Sequence, residues 1–252
     1  MCIRDRTETR TTPLGRHGQC LDLRPAFEEV LADIDRVKAD RIVSLGDNIG
    51  YGPDPEEVLQ LVRQRNILSI MGNHELGLVD PSFLSWFNYS ARRSLEINSE
   101  LLSPLSLTSL RTLEATLILH GCRFVHGVPP DSTTRYLFEV SGRELLQIFR
   151  CVDQELAFVG HTHALQLIAC DGRRLRHARL REGTITLEAG WKYLVNAGSV
   201  GQPRDGDHHA KYLIWDRDAR VLVVRFVPYD IARNVHRIMA SGLPTINADR
   251  RL

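Results

Sequence analysis

The residues best suited to chemistry in this chain are one carboxylate, one amide and three imidazoles, set on short polar turns. Five clusters stand out: Gly46-Asp47-Asn48, Gly72-Asn73-His74-Glu75, His126-Gly127, Gly160-His161-Thr162-His163 and Asn196-Ala197-Gly198-Ser199. Each alone is ordinary, because a histidine after a strand is usually a hydrogen-bonded structural residue and Gly-Asp is common turn chemistry. Together, Asp47, Asn73, His126, His161 and His163 form a mixed nitrogen and oxygen donor set that suits first-row divalent metals. His161 and His163, separated by one residue of an expected extended segment, are read as serving two neighbouring ions.

Such donors need rigid elements to aim them. Residues 26–38 place Phe27, Val30, Leu31, Ile34 and Val37 at helical spacing. The apolar run 41–45 stops at Gly46, which predicts a buried strand delivering a polar loop at its C-terminal end. Residues 55–65 read as a helix and 67–71 as a strand, ending in a second polar loop at 72–75. Two such units in succession predict a mainly parallel sheet with the site loops along one edge. Residues 82–113 turn helical, interrupted at Pro104, with Trp86, Phe87 and Tyr89 near the start. These helices either cap a pocket or simply cover the sheet. The remainder is strand-rich, at 116–120, 123–125, 157–159, 165–170, 184–188 and 193–195. A hairpin follows, with 212–215 and 221–226 flanking Asp216-Arg217-Asp218, and then a last helix over 230–239.

Composition bounds the rest. The chain has 252 residues, enough for one sizeable core. Its 43% hydrophobic and 25% charged residues are those of a soluble globular protein. A formal net charge of +1 argues against general nucleic-acid binding or a membrane-surface role, both of which favour a basic excess. No apolar run approaches the roughly 20 residues that span a bilayer, and no secretory leader is visible in the polar N-terminus. Five scattered cysteines without a CxxC pair suit a reducing, cytoplasmic setting better than a disulfide framework.

In this order, GDN, GNHE, VHG and GHTH resemble motifs two to five of the calcineurin-like metallophosphoesterases. Tyr51-Gly52-Pro53-Asp54-Pro55, residues 196–205 and Val227-Pro228-Tyr229-Asp230 resemble a small bacterial and archaeal phosphodiesterase-like branch, so the resemblance runs nearly the whole length. It implies an α/β fold: a four-layer α/β/β/α sandwich of two mixed sheets, with a dinuclear centre on loops at strand C-terminal ends. By resemblance Asp47 bridges both ions, Asn73, His126 and His161 complete the second site, and His163 belongs to the first. Such a centre hydrolyses phosphodiesters or phosphomonoesters of a small phosphorylated substrate with a metal-bridging hydroxide. His74 acts as general acid, and Glu75 orients it or raises its basicity. Asn48, Asn196, Gly198 and Ser199 are expected to shape the site from behind or meet substrate. Mn, Fe, Zn, Co and Ni all suit the donor set. The alternative is a catalytically impaired member acting as a scaffold or binding module.

The first motif is damaged. The family pattern has an apolar strand ending S-D-x-H-G, whereas this chain has Leu14-Gly15-Arg16-His17-Gly18. His17 stands where a metal ligand is expected, but Gly15 occupies the aspartate position. Residues 1–16 are polar, charged and broken by Pro13, unlike a buried strand. Codons for residues 10–16 read in a frame shifted by one base can spell an apolar run ending Ser-Asp. Residues 1–16 are therefore expected to be an artefactual or disordered terminus, ahead of a single metallophosphoesterase domain at 17–252. The loss of that aspartate is expected to impair the chain as it stands.

Overall fold

A computed structural model describes residues 3–4 and 23–250. Apart from the short strand at 3–4, the expectation for residues 1–16 falls outside them, as does His17. In chain order the elements are β1 (Ile3–Arg4), α1 (Arg24–Val37), β2 (Val43–Ser44), α2 (Pro55–Gln64), β3 (Leu68–Ser69), α3 (Asn73–Val79), α4 (Tyr89–Leu101), α5 (Pro104–Leu110), β4 (Thr116–Leu119), β5 (Cys122–Val125), α6 (Gly142–Cys151), β6 (Leu156–Val159), β7 (Leu165–Cys170), β8 (Leu175–Arg179), β9 (Gly183–Thr186), β10 (Lys192–Ala197), β11 (Ala210–Asp216), β12 (Val221–Val227), α7 (Ile231–Ala240) and α8 (Ile246–Asp249). A 3₁₀ turn, Pro81–Trp86, joins α3 to α4.

Alternation along the strands builds four layers, because successive side chains of a strand face opposite sides. Phe124, Phe158, Leu167 and Val195 point to one face of the six-stranded sheet, where they meet Leu213, Trp215, Leu222 and Val224 of the β11–β12 hairpin. Their neighbours Val125, Val159, Ile168 and Leu194 point the other way, onto Leu145 and Phe149 of α6. Tyr212 likewise faces away from the central layer, toward Phe27, Val30 and Ile34 of α1. The order is thus helix, sheet, sheet, helix. Phe124 and Phe158 stack at 5.5 Å in the middle, and full burial of each stabilises the fold by about 1.5–3 kcal/mol.

The six-stranded sheet runs β4-β5-β6-β10-β7-β8. Only its centre is parallel, β5 with β6 and β6 with β10; β4, β7 and β8 pair antiparallel. The predicted mainly parallel sheet is therefore corrected to a mixed one, because short hairpins rather than helical crossovers link the outer strands. β2 and β3 pair parallel for two residues each. α1 begins at a proline near its first turn and ends on Lys38 in a left-handed conformation. α6 was not read from sequence, although Ser141 and Glu144 form a capping box at its start. The expected loop 72–75 is instead the entry to α3, with Glu75 accepting from the Gly72 amide.

Candidate metal centre

Leu45 follows β2, and Gly46 (φ 85°) then turns the chain so that Asp47 sits at φ 54°. His161 (φ 64°) and His163 (φ 60°) share this left-handed backbone. It costs a non-glycine residue roughly 1–3 kcal/mol and gathers at functional sites. The extended segment expected for His161 and His163 is thereby corrected. A tight turn bends it, with the Thr162 amide donating to the Gly160 carbonyl at 2.7 Å. Asn196 holds that turn, its Nδ2 donating to the Gly160 carbonyl at 2.6 Å and to Thr162 Oγ1 at 2.8 Å.

Each imidazole has one nitrogen committed to a backbone carbonyl. His126 Nδ1 donates to Leu45 at 2.6 Å, His161 Nε2 to Thr134 at 2.9 Å and His163 Nδ1 to Gln202 at 2.8 Å. A carbonyl only accepts, so each ring's proton is fixed there and the other nitrogen presents a lone pair. Those lone pairs converge. His126 Nε2 lies 2.9 Å from Asn73 Oδ1, 3.2 Å from His161 Nδ1 and 3.3 Å from Asp47 Oδ2. The donor atoms of Asp47, His126 and His161 all lie within 4.8 Å of one another. His163 reaches the same Asp47 oxygen at 3.9 Å from outside that cluster. Asp47 Oδ2 is buried and accepts no hydrogen bond from the described residues.

Buried acceptors facing one another repel unless a cation or proton sits among them. The spacings match ligands around a first-row ion at about 2.0–2.2 Å, so the residues fit a divalent metal. The titration behaviour agrees. Burial raises the Asp47 carboxyl, but His126 and His74 outweigh it and hold the group well below the usual range. Burial opposes the charged form of His126, yet Asp47 keeps its pKa raised. Burial, together with nearby cationic groups, pushes His161 down to about 2 and His163 to about 4.

Behind these donors a second ring of contacts locks the loops. Glu75 accepts from the amides of Asp47 and Gly72 on one oxygen, and from the amide and Nδ2 of Asn48 on the other, at 2.6–3.0 Å. Neither oxygen pairs with His74, so the expected contact that would orient His74 is replaced by a clamp on the 46–48 loop. Asn48 is fully buried and also bonds Ser44 and Ser69, away from the cleft. Gly198 donates to Asn196 Oδ1 at 3.0 Å, and Ser199 Oγ accepts the Gln202 amide at 2.8 Å. These four therefore act through the loops. His74 is buried between Tyr51 (ring centroids 4.4 Å) and Phe87 (5.2 Å), and its Nδ1 has no partner among the described residues. Burial lowers its pKa to about 4, against the pull of Asp47.

A cleft of about 110 Å³ opens beside the donors, with Asn73 and His161 in its lining. Thr134 and Tyr136, which also line it, were not singled out from sequence. They lie in the connection between β5 and α6 with no motif to mark them, and Tyr136 stacks flat on His161 at 3.8 Å. Arg204 and Tyr51 are joined at 3.3 Å beside it.

The family model described as the calcineurin-like phosphoesterase superfamily domain matches residues 17–220. An uncharacterized protein of Methanocaldococcus jannaschii, MJ0912, is 35% identical over 229 residues, covering 87% of this chain and 88% of that protein. A crystal structure described as a metallophosphoesterase from Sphaerobacter thermophilus superposes with a TM-score of 0.82 at 30% identity, over 94% of this chain and 98% of the other. The protein PH1004 of Pyrococcus horikoshii shares the fold, with a TM-score of 0.75 at 19% identity, over 94% and 96% of the two chains. With more than half of its length matched by the family model and these relatives spanning nearly all of it, the chain belongs to the calcineurin-like phosphoesterase superfamily.

Proposed function

We propose that this chain hydrolyses phosphate esters, diesters or monoesters, with divalent ions held by Asp47, Asn73, His126 and His161 and, beside them, His163. The observation that supports this reading is the convergence of unprotonated donor atoms on His126 Nε2 at 2.9–3.3 Å. When bound, the ions supply Lewis acidity, which activates water and neutralises the phosphoryl oxygens as charge builds on them. The residues contribute position: backbone carbonyls fix all three ring tautomers, and Glu75 and Asn196 hold Asp47 and His161 in conformations they would otherwise leave. His74 is the proposed proton donor to the leaving group. The substrate is small and phosphorylated. The unpaired thiols of Cys122, Cys151 and Cys170 suit a cytoplasmic setting.

The test is a screen of mono- and diesters with Mn, Co, Ni, Zn or Fe added in turn, with metal content measured alongside. His74→Ala should abolish turnover while leaving metal content intact. Retained turnover in that variant would remove His74 from the chemistry, and no hydrolysis with any metal would remove the enzymatic reading.

A further inference from the structure

The cleft beside the donors is aromatic. Tyr51, Phe83, Trp86, Phe87 and Tyr136 line it, and Ala91 is the one aliphatic side chain beside them. Two separate segments supply these rings. The 3₁₀ turn Pro81–Trp86 and the residue after it bring Phe83, Trp86 and Phe87. The 134–138 segment brings a stacked row, in which Tyr136 lies on His161 (3.8 Å, 17° between planes) and Phe138 lies on Tyr136 (4.8 Å, 17°). The row leads outward from a metal-ligand candidate to a phenyl ring 74% exposed, and Trp86 at the other segment is 75% exposed. Large exposed rings carry a hydration cost that a bound apolar face relieves.

An acyl chain would find one aliphatic contact here, and a bare sugar phosphate would present no plane to stack. A ring bonded directly to the ester oxygen would sit against Tyr136 and leave the outer aromatics unused. A base held off its phosphate by a pentose reaches further out, to Phe83 and Trp86. We propose that the substrate is a nucleoside phosphate ester, its base stacked on Trp86 and Phe83 and meeting Tyr136 at its edge, since His161 and Phe138 cover the Tyr136 faces, while its phosphate lies at Asn73 and His161. This rests on the phosphoesterase reading for what happens to the phosphate, but the base subsite is a binding property and is measurable without turnover.

The experiment is calorimetric titration of the full chain, with and without Mn²⁺, using adenosine 5′-monophosphate, ribose 5-phosphate and phenyl phosphate. Base–aromatic stacking predicts that the nucleotide binds about 10–100-fold more tightly than ribose 5-phosphate. Trp86→Ala, at an exposed position that the fold does not need, should cut that ratio several-fold, and Tyr136→Leu should do the same. Equal affinity for nucleotide and ribose 5-phosphate overturns the inference, as does a ratio that survives both substitutions. Phenyl phosphate binding as tightly as the nucleotide overturns the nucleoside assignment in favour of simple aryl esters. Hydrolysis of bis(p-nitrophenyl) phosphate, run in parallel, reports on the phosphoesterase reading alone, so the two failures are distinguishable.

Discussion

Asp47 hangs from Glu75: its amide donates to Glu75 Oε2 at 2.8 Å, and its own Oδ1 accepts the His74 amide at 3.1 Å. Both Glu75 oxygens accept only from N–H groups. Burial and the nearby Asp47 push the Glu75 carboxyl up to about 7, against those hydrogen bonds. Glu75→Gln keeps the shape but turns one oxygen into a donor, which faces other donors whichever way the amide is flipped. We expect a loss of about 2–3 kcal/mol in urea unfolding and a fall of about 10–100-fold in metal affinity. A variant that matches the parent in both measurements would show that something else holds Asp47.

Gly50 is a second fixed point. It sits at φ 120°, and a Cβ there would come within 1.9 Å of His74 Nδ1. The His74 ring cannot retreat easily, because Tyr51 and Phe87 pack on it. Gly50→Ala should therefore displace the proposed acid without touching a metal ligand. The expected result is at least a 100-fold loss in kcat with metal content unchanged, the scale on which small misplacements act. Turnover at the parent rate would mean that His74 has no positional role.

Lys211 is fully buried, and its Nζ donates to Asp205 Oδ1 and to the Asp207 carbonyl, both at 2.5 Å. The segment it pins also carries the Gln202 carbonyl that orients His163. Lys211→Met leaves Asp205 without its cation, and removing one partner of a buried pair costs about 3–5 kcal/mol. Adding Asp205→Asn should recover part of that loss, since the uncompensated charge is then gone. Chemical denaturation of the single and double variants checks this, and an additive double variant would argue against a direct pair.

The donor residues were legible because their types are chemically specific and each follows a strand end that periodicity reveals. Helical spacing marked α1, and apolar runs and a polar turn marked β7, β11 and β12, whereas the four layers were implied by the family resemblance. What the sequence hid was conformation and partnership. Nothing in Glu75 itself says that its oxygens turn inward to the Asp47 loop rather than toward His74, because that depends on two loops meeting at Gly46 and Gly72. A Cβ on Gly46 would lie 2.4 Å from the Gly72 nitrogen, so the approach is a property of the pair. Tyr136 escaped notice for a similar reason: its role comes from stacking on a residue 25 positions away, which no local spacing records. α6 was overlooked although its capping box was in plain sight.

The state of the metal centre follows from what the chain retains. Asp47, Asn73, His126 and His161 bring their donor atoms together, whereas His163 approaches Asp47 alone, and Gly15 stands where the family pattern has an aspartate. Hard divalent ions depend on carboxylate charge. We therefore expect about one tightly held ion per chain and weak turnover. His161→Ala should abolish the tight site, while Gly15→Asp should move the stoichiometry toward two and raise kcat. Because Asp47 holds the His126 pKa up, a proton competes with the ion for the same place. Affinity should fall as pH drops through the titration of His126, and metal uptake should release protons to the buffer. Elemental analysis after dialysis, with calorimetry in buffers of different ionisation enthalpy, measures both effects. Two tightly bound ions in the unaltered chain would falsify the one-ion expectation, and proton-neutral uptake would sink the competition between proton and metal.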